Sequence, residues 1–346
     1  MNILSLFDGM SCGQQALERV GIKVDNYFAS EIDKYAITVT MANYPNTKQL
    51  GSVTQVDGYS LPKIDILIGG SPCQSFSFAG KRKGMSTKDE QEILTLEHYL
   101  ELKSQEYEFE AQSYLFWEYM RLLNEVKPKY FLLENVMMGE KWEKILSKAI
   151  GVNPIMINSS LVSAQNRQRL YWTNIGMKPS GLFGDLESTI EQPKDLGILL
   201  KDILEDVVDD KYFLSKQKIE TMLKSERSVP YVDENTNKYN CLIAGYYKIP
   251  TDGQYIVHNM MPRSSKTGKG GTGHLTRDDG KTYCLDTGST NAIEYHKKVR
   301  KLTPTECERL QTVKDGYTAH VSDSQRYKML GNGWTVDVIA HIFKYL

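Results

Sequence analysis

Several features that mark other protein classes are missing from this chain. No stretch approaches the roughly 18 consecutive apolar residues of a membrane-spanning helix, and the first residues lack the layout of a signal peptide. Internal repeats and low-complexity tracts are also absent. Of the 346 residues, 40% are hydrophobic and 25% charged, which is typical of a globular protein with one large or two unequal domains. We therefore expect neither a disordered, a fibrous nor a membrane-embedded protein.

The cysteines are few, odd in number and unpaired in spacing. They are Cys12, Cys73, Cys241, Cys284 and Cys307, and no two of them form a C-x-x-C pair. The pattern indicates neither a disulfide framework nor a zinc site. We expect no metal, and a reducing compartment such as the cytoplasm.

The net charge of −1 by itself gives no reason to expect a nucleic-acid partner, but the charges are unevenly distributed. Residues 88–110 carry eight acids and two lysines, whereas residues 262–301 carry nine lysines and arginines and four acids. A polyanion would be repelled by the first stretch and attracted to the second. The plainer interpretation is that each cluster is a solvated face.

A cysteine follows a predicted buried strand. The apolar residues 63–68 run into Gly69 and Gly70, and Pro72 stiffens the loop that presents Cys73. In open α/β sheets, ligands and chemistry collect at the carboxyl ends of strands, where a stabilised thiolate is a nucleophile. Taken alone, Cys73 is better explained as a small buried hydrophobic residue in a tight turn, and the other motifs are what favour a nucleophile.

The first residues predict a strand over 2–7, a turn over 8–13 and a helix from 14, followed by a second strand over 26–30. This is the opening unit of a nucleotide-binding α/β fold, although the turn does not match G-x-G-x-x-G. Glu31 ends the second strand, where an acid commonly accepts hydrogen bonds from ribose hydroxyls. The alternative is a solvated carboxylate that opens the next helix.

Further along, an apolar strand over 129–133 ends at Glu134, which is thus placed to be partly buried. The periodicity of residues 86–127 predicts a helix, with an acidic portion that we interpret as a surface excursion. We predict a sixth strand over 155–161 and a proline-initiated helix from Thr303. The looser composition from about residue 176 predicts a second, smaller domain that ends near residue 297.

Six short motifs follow one another in a familiar order, and five of them fall at predicted strand ends or helix starts. They are Phe7–Gly13, Pro72-Cys73-Gln74, Glu134-Asn135-Val136, Gln165–Arg169, Arg300–Gln311 and Gly331-Asn332. Together they resemble the DNA (cytosine-5)-methyltransferase family across nearly the whole chain. The resemblance implies a Rossmann-like class I fold, α/β with a mostly parallel sheet and helices on both faces. Residues 1–175 and 298–346 would form the catalytic domain, with an excursion at 86–112, and residues 176–297 the target-recognition domain.

The resemblance also implies a reaction. Cys73 would attack C6 of a cytosine, because C5 alone is too weak a nucleophile to accept a methyl group. A protonated Glu134 would bond the ring at N3, and Arg169 and Arg167 would bind the O2 edge or a neighbouring phosphate. For the two arginines, the alternative is a salt-bridged rim.

By the same resemblance, S-adenosyl-L-methionine is the cofactor and S-adenosyl-L-homocysteine the product. The implied binding residues are Phe7, Asp8, Gly9 and Met10 at the methionine end, Glu31 at the ribose, Ile32, Ser52 and Val53 near the adenine, and Pro72, Leu115, Asn332 and Trp334 around the pocket. Two departures stand out: Ser11-Cys12 replaces the family's glycine pair, and Ser52 replaces an acid. The second departure predicts a looser cofactor affinity.

Double-stranded DNA is the implied partner, with the target base flipped out of the helix. The implied DNA contacts are Gln74, Ser75, Arg263, Lys266, Lys269 and Arg277. We expect a monomer in the cytoplasm, associated with the nucleoid of a bacterial or phage-infected cell, and a restriction endonuclease is an optional partner. Two alternatives stay open, a tRNA cytosine-5 methyltransferase and a catalytically silent DNA-binding homologue, while a nicotinamide-dependent oxidoreductase is a distant third. The recognition region of about 120 residues favours duplex DNA over tRNA.

Overall fold

A seven-stranded sheet forms the centre of the molecule. The computed structural model describes residues 1–72, 85, 91–109, 112–180, 185–215, 217, 231–232, 237–242, 244–247, 255–257 and 299–346. The strands of the sheet are β1 (Asn2–Leu6), β2 (Asn26–Ser30), β3 (Lys48–Gln49), β4 (Ile66–Gly70), β5 (Tyr130–Val136), β6 (Ile155–Asn158) and β7 (Gln168–Thr173). Their order is β3-β2-β1-β4-β5-β7-β6. Strand β7 is antiparallel to both of its neighbours and the other pairs are parallel.

Helices cover both faces of this sheet, which is why its central strands are continuous apolar runs. The α-helices are α1 (Cys12–Arg19), α2 (Lys34–Asn43), α3 (Leu96–Ser104), α4 (Phe116–Val126), α5 (Glu140–Ile150), α6 (Pro304–Leu310), α7 (Asp323–Asn332) and α8 (Val336–Phe343). Successive residues of β1 enter opposite cores: Ile3 packs with helices α1 and α8, and Leu4 packs with α3 and α4. Among the helices in the described part of the chain, none is long and apolar enough to cross a membrane.

This architecture confirms the predicted fold class. The strand order reverses at β1, with β2 on one side and β4 on the other. In doubly wound sheets, such a switch point opens a crevice at the carboxyl ends of the strands. The chain segments that follow β1, β2, β4 and β5 therefore share one edge, which is where the sequence motifs fall.

The predicted continuous helix over 86–127 is wrong. Helix α3 ends at Ser104, and Glu106 has a left-handed φ of 55° that turns the chain away before α4 begins. The sixth strand is also shorter than predicted, because the Asn158 side chain accepts a hydrogen bond from the Ser160 amide and begins a 3₁₀ turn. The predicted capping of α6 by Thr303 is confirmed, since its hydroxyl accepts from the amide of Glu306.

Parts of the predicted second domain contribute to the core beneath the sheet. Ile190, Leu200 and Tyr246 are buried in the same cluster as Ile3. The backbone around Tyr239 pairs with the 164–166 segment, through the Tyr239 amide to the Ala164 carbonyl (2.6 Å) and the Asn166 amide to the Tyr239 carbonyl (2.7 Å). The division at residues 176 and 297 stays a prediction, but these segments are physically continuous with the sheet domain.

Small sheets lie outside the central one. Strands β8 (Met177–Ser180) and β9 (Asp185–Ser188) pair in an antiparallel direction. Strands β10 (Tyr231–Val232), β11 (Tyr255–Val257) and β12 (Val299–Arg300) form a three-stranded sheet.

Candidate active site

Adjacent strands bring Glu134 beside Gly70 at the carboxyl edge of the sheet. The two residues are direct partners in the parallel pairing of β4 and β5. Glu134 is only 9% exposed, and its two carboxylate oxygens have separate donors. Oε1 lies 2.9 Å from the Arg169 Nε, and Oε2 accepts from the Trp334 indole nitrogen at 3.1 Å. Three distant parts of the chain thus meet at one carboxylate.

Gly70 makes room for this cluster. A Cβ at this position would lie 2.9 Å from the Trp334 indole nitrogen and 3.0 Å from the Glu134 Oε2. These distances are shorter than ordinary contacts to a Cβ, so a side chain here would displace the carboxylate from its donors. Sequence reasoning interpreted Gly70 only as the end of a strand, and its steric role depends on a neighbour 64 residues away.

Side-chain hydrogen bonds attach the end of β4 to β5. The Asn135 Nδ2 donates to the Ser71 hydroxyl at 3.0 Å and approaches its carbonyl oxygen at 3.4 Å. Pro72 follows and is partly buried. The predicted nucleophile Cys73 and the predicted DNA contacts Gln74 and Ser75 lie outside the described residues.

Arg169 is charged and held against Glu134. It stands on β7, which runs antiparallel beside β5. Burial opposes its charge, but the Glu134 carboxylate and the Cys241 sulfur more than offset that effect, so that the pKa of Arg169 is raised above its ordinary value. Arg169 and Glu134 therefore form a largely buried ion pair.

Arg167 lies only two residues before Arg169 but has a different environment. Its side chain is 3% exposed and donates to the carbonyl oxygens of Leu242 (3.0 Å), Gly331 (3.3 Å) and Gly333 (2.9 Å). Burial, followed by the neighbouring Arg169 charge, lowers the pKa of Arg167. This guanidinium therefore holds the turn that carries Trp334, and an exposed salt-bridged rim is contradicted for this residue.

Sequence reasoning missed Cys241, for which no motif or spacing gave a signal. Its sulfur accepts from the Arg167 Nη1 at 3.2 Å and lies 3.8 Å from the Arg169 Nη2. Burial alone would raise the pKa of this thiol, but the two guanidinium groups lower it below its ordinary value. Cys241 belongs to the predicted recognition domain and nevertheless completes the surroundings of both arginines.

On the other side of the edge, Asp8 and Glu31 organise the loops after β1 and β2. Asp8 accepts hydrogen bonds from the hydroxyls of Tyr27 (2.8 Å) and Ser11. Burial raises the pKa of Asp8 to about 6, although these hydroxyl donors act in the opposite direction. Glu31 accepts from the backbone amide of Gly9 at 2.8 Å and from those of Ile32 and Asp33 at 2.7 and 2.8 Å. The carboxylate thus ties the two loops together and is not merely solvated.

The loop after β1 has an unusual backbone. Phe7, Gly9 and Ser11 have left-handed φ angles of 56°, 57° and 58°. For residues other than glycine, this conformation costs about 1–3 kcal/mol and is concentrated at functional sites. The Ser11 hydroxyl lies within hydrogen-bond distance of Gln14 and Thr40, 3.2 Å in each case, which offsets part of that strain where the family has glycine.

Other predicted cofactor residues differ in how they could face a ligand. Ile32 is 70% exposed, whereas the Met10 side chain is buried in the core. The Ser52 hydroxyl accepts a hydrogen bond from the Thr54 amide at 3.4 Å and begins the 3₁₀ turn Val53–Gln55.

The rest of the predicted ligand residues are scattered around the edge. Leu115 is half-buried just before α4, and Asn332 is exposed at the end of α7. The predicted DNA contacts Arg263, Lys266, Lys269 and Arg277 lie outside the described residues. Within the described part of the chain, no group of three or more His, Cys, Asp or Glu side chains is arranged to hold a metal ion.

Curated proteins with similar sequences are bacterial and phage methyltransferases. The orphan methyltransferase M.SPRI of Bacillus phage SPR is 28% identical over 100% of this chain and 97% of its own length. The type II methyltransferase M.NlaX of Neisseria lactamica is also 28% identical, over 98% of this chain and 94% of its own.

Solved structures show the same fold at lower identity. The Entamoeba histolytica methyltransferase EhMeth superposes with a TM-score of 0.69 at 15% identity, over 100% of this chain and 97% of that one. A DNMT2 mutant from Spodoptera frugiperda has a TM-score of 0.68 at 21% identity, over 99% of this chain and 98% of that one. The sequence pattern of the C-5 cytosine-specific DNA methylases matches residues 1–346. The chain is therefore a member of the C-5 cytosine-specific DNA methylase family, an enzyme that methylates cytosine in DNA.

Proposed function

We propose that this enzyme methylates a flipped-out cytosine in a specific duplex sequence through a covalent bond between Cys73 and C6 of the base. The observation that carries the proposal is the buried Glu134, which shares its carboxylate between Arg169 and Trp334 beside the end of β4. Cys73 follows the hydrogen-bonded Ser71 by two residues in the sequence. The acid that such chemistry needs therefore lies beside the end of the strand that leads to the nucleophile, and the guanidinium is bound to that acid.

Each of these groups has a task in the proposed reaction. Attack by the Cys73 thiolate at C6 turns the pyrimidine into an enamine whose C5 can accept a methyl group. Glu134, in protonated form, would donate a hydrogen bond at N3 and stabilise charge that develops on the ring. Arg169, already charged and beside Glu134, would bind the O2 edge or a phosphate. Transfer of the C5 proton to solvent would then re-form the C5–C6 double bond and expel the Cys73 thiolate, which completes the cycle.

Arg167 is proposed as a positioning residue. Its donors are occupied by backbone carbonyls, including those of Gly331 and Gly333 on either side of the exposed Asn332. It therefore acts on the reaction through the turn that presents Trp334 to Glu134.

S-adenosyl-L-methionine, which methylases of this class use, would supply an electrophilic methyl group at this edge. Several features of the chain fit such a ligand. Glu31 could accept from ribose hydroxyls, and the exposed Ile32 offers an apolar surface for an adenine ring. The carboxylate of Asp8, which accepts hydrogen bonds from hydroxyl donors, would stabilise a cationic methionine end. Phe7, Gly9 and Met10 would contribute mainly backbone groups of the left-handed loop.

The remaining proposed cofactor contacts come from loops around the pocket. They are Ser52, Val53, Pro72, Leu115, Asn332 and Trp334. Because Ser52 is engaged with Thr54, it would offer a weaker hydrogen bond to adenine than the family's usual acid.

For DNA, we propose that residues within 176–297 recognise the target, with the basic stretch that contains Arg263, Lys266, Lys269 and Arg277 against the phosphates or guanines. Since DNA is the substrate and the curated relatives come from bacteria and phages, we place the reaction in the cytoplasm, at the nucleoid. Those relatives are described both as orphan and as type II methyltransferases, so an endonuclease partner and a monomeric state stay predictions.

Trapping on a modified base tests the covalent step. Bisulfite sequencing of plasmid DNA from an expressing host maps the methylated cytosine, and a duplex is then made with 5-fluorocytosine at that position. We expect a complex that survives denaturing electrophoresis with the parent chain and none with Cys73→Ala. A denaturant-stable complex with Cys73→Ala, or none with the parent, would contradict the mechanism. Methyl transfer to tRNA in place of duplex DNA would favour the tRNA alternative.

A further inference from the structure

A buried carboxylate on α4 collects donors from two helices. Glu118 is fully buried, and its Oε1 accepts from the Tyr99 hydroxyl and the Lys103 ammonium, each at 2.5 Å. Its Oε2 accepts from the Arg121 Nε at 2.8 Å. Tyr99 and Lys103 stand on α3, within the acidic excursion, and Arg121 stands on α4 itself. Hydrogen bonds and an ion pair to Glu118 therefore attach the excursion to the sheet domain.

The cations of this cluster also hold backbone atoms of the loop after β3. The Arg121 Nη2 donates to the Val53 carbonyl at 3.0 Å, and the Lys103 Nζ donates to the Thr54 carbonyl at 3.3 Å. On the same side of α4, Glu125 accepts from the Gly58 amide at 2.9 Å. Successive backbone groups of this loop are thus held by side chains from α3 and α4.

The acids of the cluster keep Arg121 charged. Burial opposes the charge of Arg121, but Glu125 and Glu118 together raise its pKa above the ordinary value. For Tyr99, burial and the adjacent Glu118 both raise the pKa, so its hydroxyl stays a donor. A buried carboxylate loses stabilisation when one of its cationic partners is removed. The contacts of Glu118 with Lys103 and Arg121 therefore depend on one another.

Aromatic packing fixes the excursion in place. The Phe109 ring stacks on Tyr114 at 4.4 Å between centroids, and Tyr99 lies 5.2 Å from Phe109. Helix α3 is therefore bound by these ring contacts as well as by the bonds to Glu118, although the acids on its outer face are solvated. The surface-excursion interpretation describes only that outer face.

We infer that Lys103 and Arg121 are positioning residues that hold the Val53–Thr54 backbone where the adenine end of the cofactor binds. This inference rests on the proposed assignment of Ser52 and Val53 to the cofactor. The loop there contains only short 3₁₀ turns, so its conformation depends on contacts from outside. Bracing it before binding reduces the ordering cost that the ligand must otherwise overcome. The acidic excursion thereby becomes part of the cofactor site.

The test compares Lys103→Met with Lys141→Met. Lys141 forms an exposed ion pair with Glu92 of the excursion, at 2.5 Å, and contacts no residue of the 53–58 loop through that pair. The affinities are measured by isothermal titration of the full chain with S-adenosyl-L-homocysteine and with 5′-methylthioadenosine. For Lys103→Met we expect dissociation constants about tenfold larger than for the parent, which corresponds to the free energy of one charge-assisted hydrogen bond. The affinity for both ligands should fall by the same factor, because both carry the adenine. Lys103→Arg should recover most of the lost affinity.

Hydrogen exchange provides a readout that is independent of activity. Amides in a peptide that covers residues 52–60 should exchange faster in Lys103→Met than in the parent or in Lys141→Met. In turnover, the KM for the cofactor should rise by the same factor while the KM for DNA is unchanged.

The outcomes separate this inference from the proposed function. If the parent binds neither ligand, the proposed cofactor site is wrong and the inference falls with it. If the parent binds but Lys103→Met binds equally well, with unchanged exchange in residues 52–60, only the bracing role is wrong. Arg121→Met provides a second test. If this variant folds and binds both ligands with the affinity of the parent, the bracing role is also wrong.

Discussion

The two sides of the candidate site lie at the same edge of one sheet but use opposite charges. The β1–β2 side is built from Asp8, Glu31 and backbone amides. The β5–β7 side is built from guanidinium groups around Glu134. Burial disfavours charge on both sides, yet the results differ. On the first side the pKa of Asp8 rises to about 6, whereas on the second Arg169 stays charged because Glu134 is its partner.

The difference shows that a charged partner, and not burial alone, decides whether the pKa of a group shifts in favour of its charged form. Asp8 is surrounded by hydroxyls, which bond its carboxylate without offering a positive charge. A cationic ligand would provide that charge. On the β5–β7 side the protein supplies its own cation, and an electron-rich or anionic ligand is the complement. This contrast supports the proposed division of the site, with a sulfonium cofactor on the first side and a pyrimidine base on the second.

The largest effect should follow from changing the carboxylate that distinguishes the second side. Glu134→Gln keeps the shape of the side chain but removes the acid, so we expect kcat for methyl transfer to fall by about 10²–10⁴-fold. Glu140→Gln, at an exposed position on the next helix, is the matched control. Steady-state assays on the mapped duplex measure both. A fall of less than about threefold for Glu134→Gln would remove it from the catalytic groups.

The second prediction separates the two arginines of the β5–β7 side. Arg167→Met should lower the free energy of unfolding by on the order of 3 kcal/mol, because buried carbonyls at Leu242, Gly331 and Gly333 lose their donor. Arg169→Met should cost less stability and more activity. Urea unfolding and methyl-transfer assays of both variants measure the contrast. Equal losses in both assays would mean that the arginines share one role.

The smallest effect concerns Asp8 and its dependence on pH. Folding raises the pKa of Asp8 from its ordinary value of 3.8 to about 6. Between these two values the folded chain therefore binds more protons than the unfolded chain. Its contribution to stability is therefore greatest at low pH and is lost as the pH rises through about 6. Relative to Asp8→Asn, the parent should lose about 1.4 kcal/mol of unfolding free energy between pH 5 and pH 8. A constant difference between the two proteins across that range would contradict a raised pKa.

Sequence patterns predicted the sheet and several individual residues well. The apolar runs that end at Gly70 and Glu134 are buried strands, and Thr303 caps its helix. These signals are local, because strand burial and helix capping depend on residues a few positions apart. The single helix predicted over 86–127 was wrong because its apolar positions lie in two separate helices, and the left-handed backbone at Glu106 interrupts the chain between them.

The residues that the sequence did not reveal all act through distant partners. Cys241 contacts arginines more than 70 positions away, and Lys103 holds a carbonyl 49 positions away. Gly70 is needed because Trp334 closes over it. None of these contacts leaves a periodic or spaced pattern.

By itself, the sequence determined the family, the parallel sheet and the strand ends at which chemistry would collect, since each depends on short apolar runs and motifs. Only the tertiary structure decided which of two neighbouring residues has a positioning role and which can contact a ligand. Arg167 and Arg169 are two positions apart, yet one is enclosed by backbone carbonyls and the other faces a carboxylate. Whether a charge positions the chain or remains available to a ligand depends on which groups surround it after folding, and those groups come from distant parts of the chain.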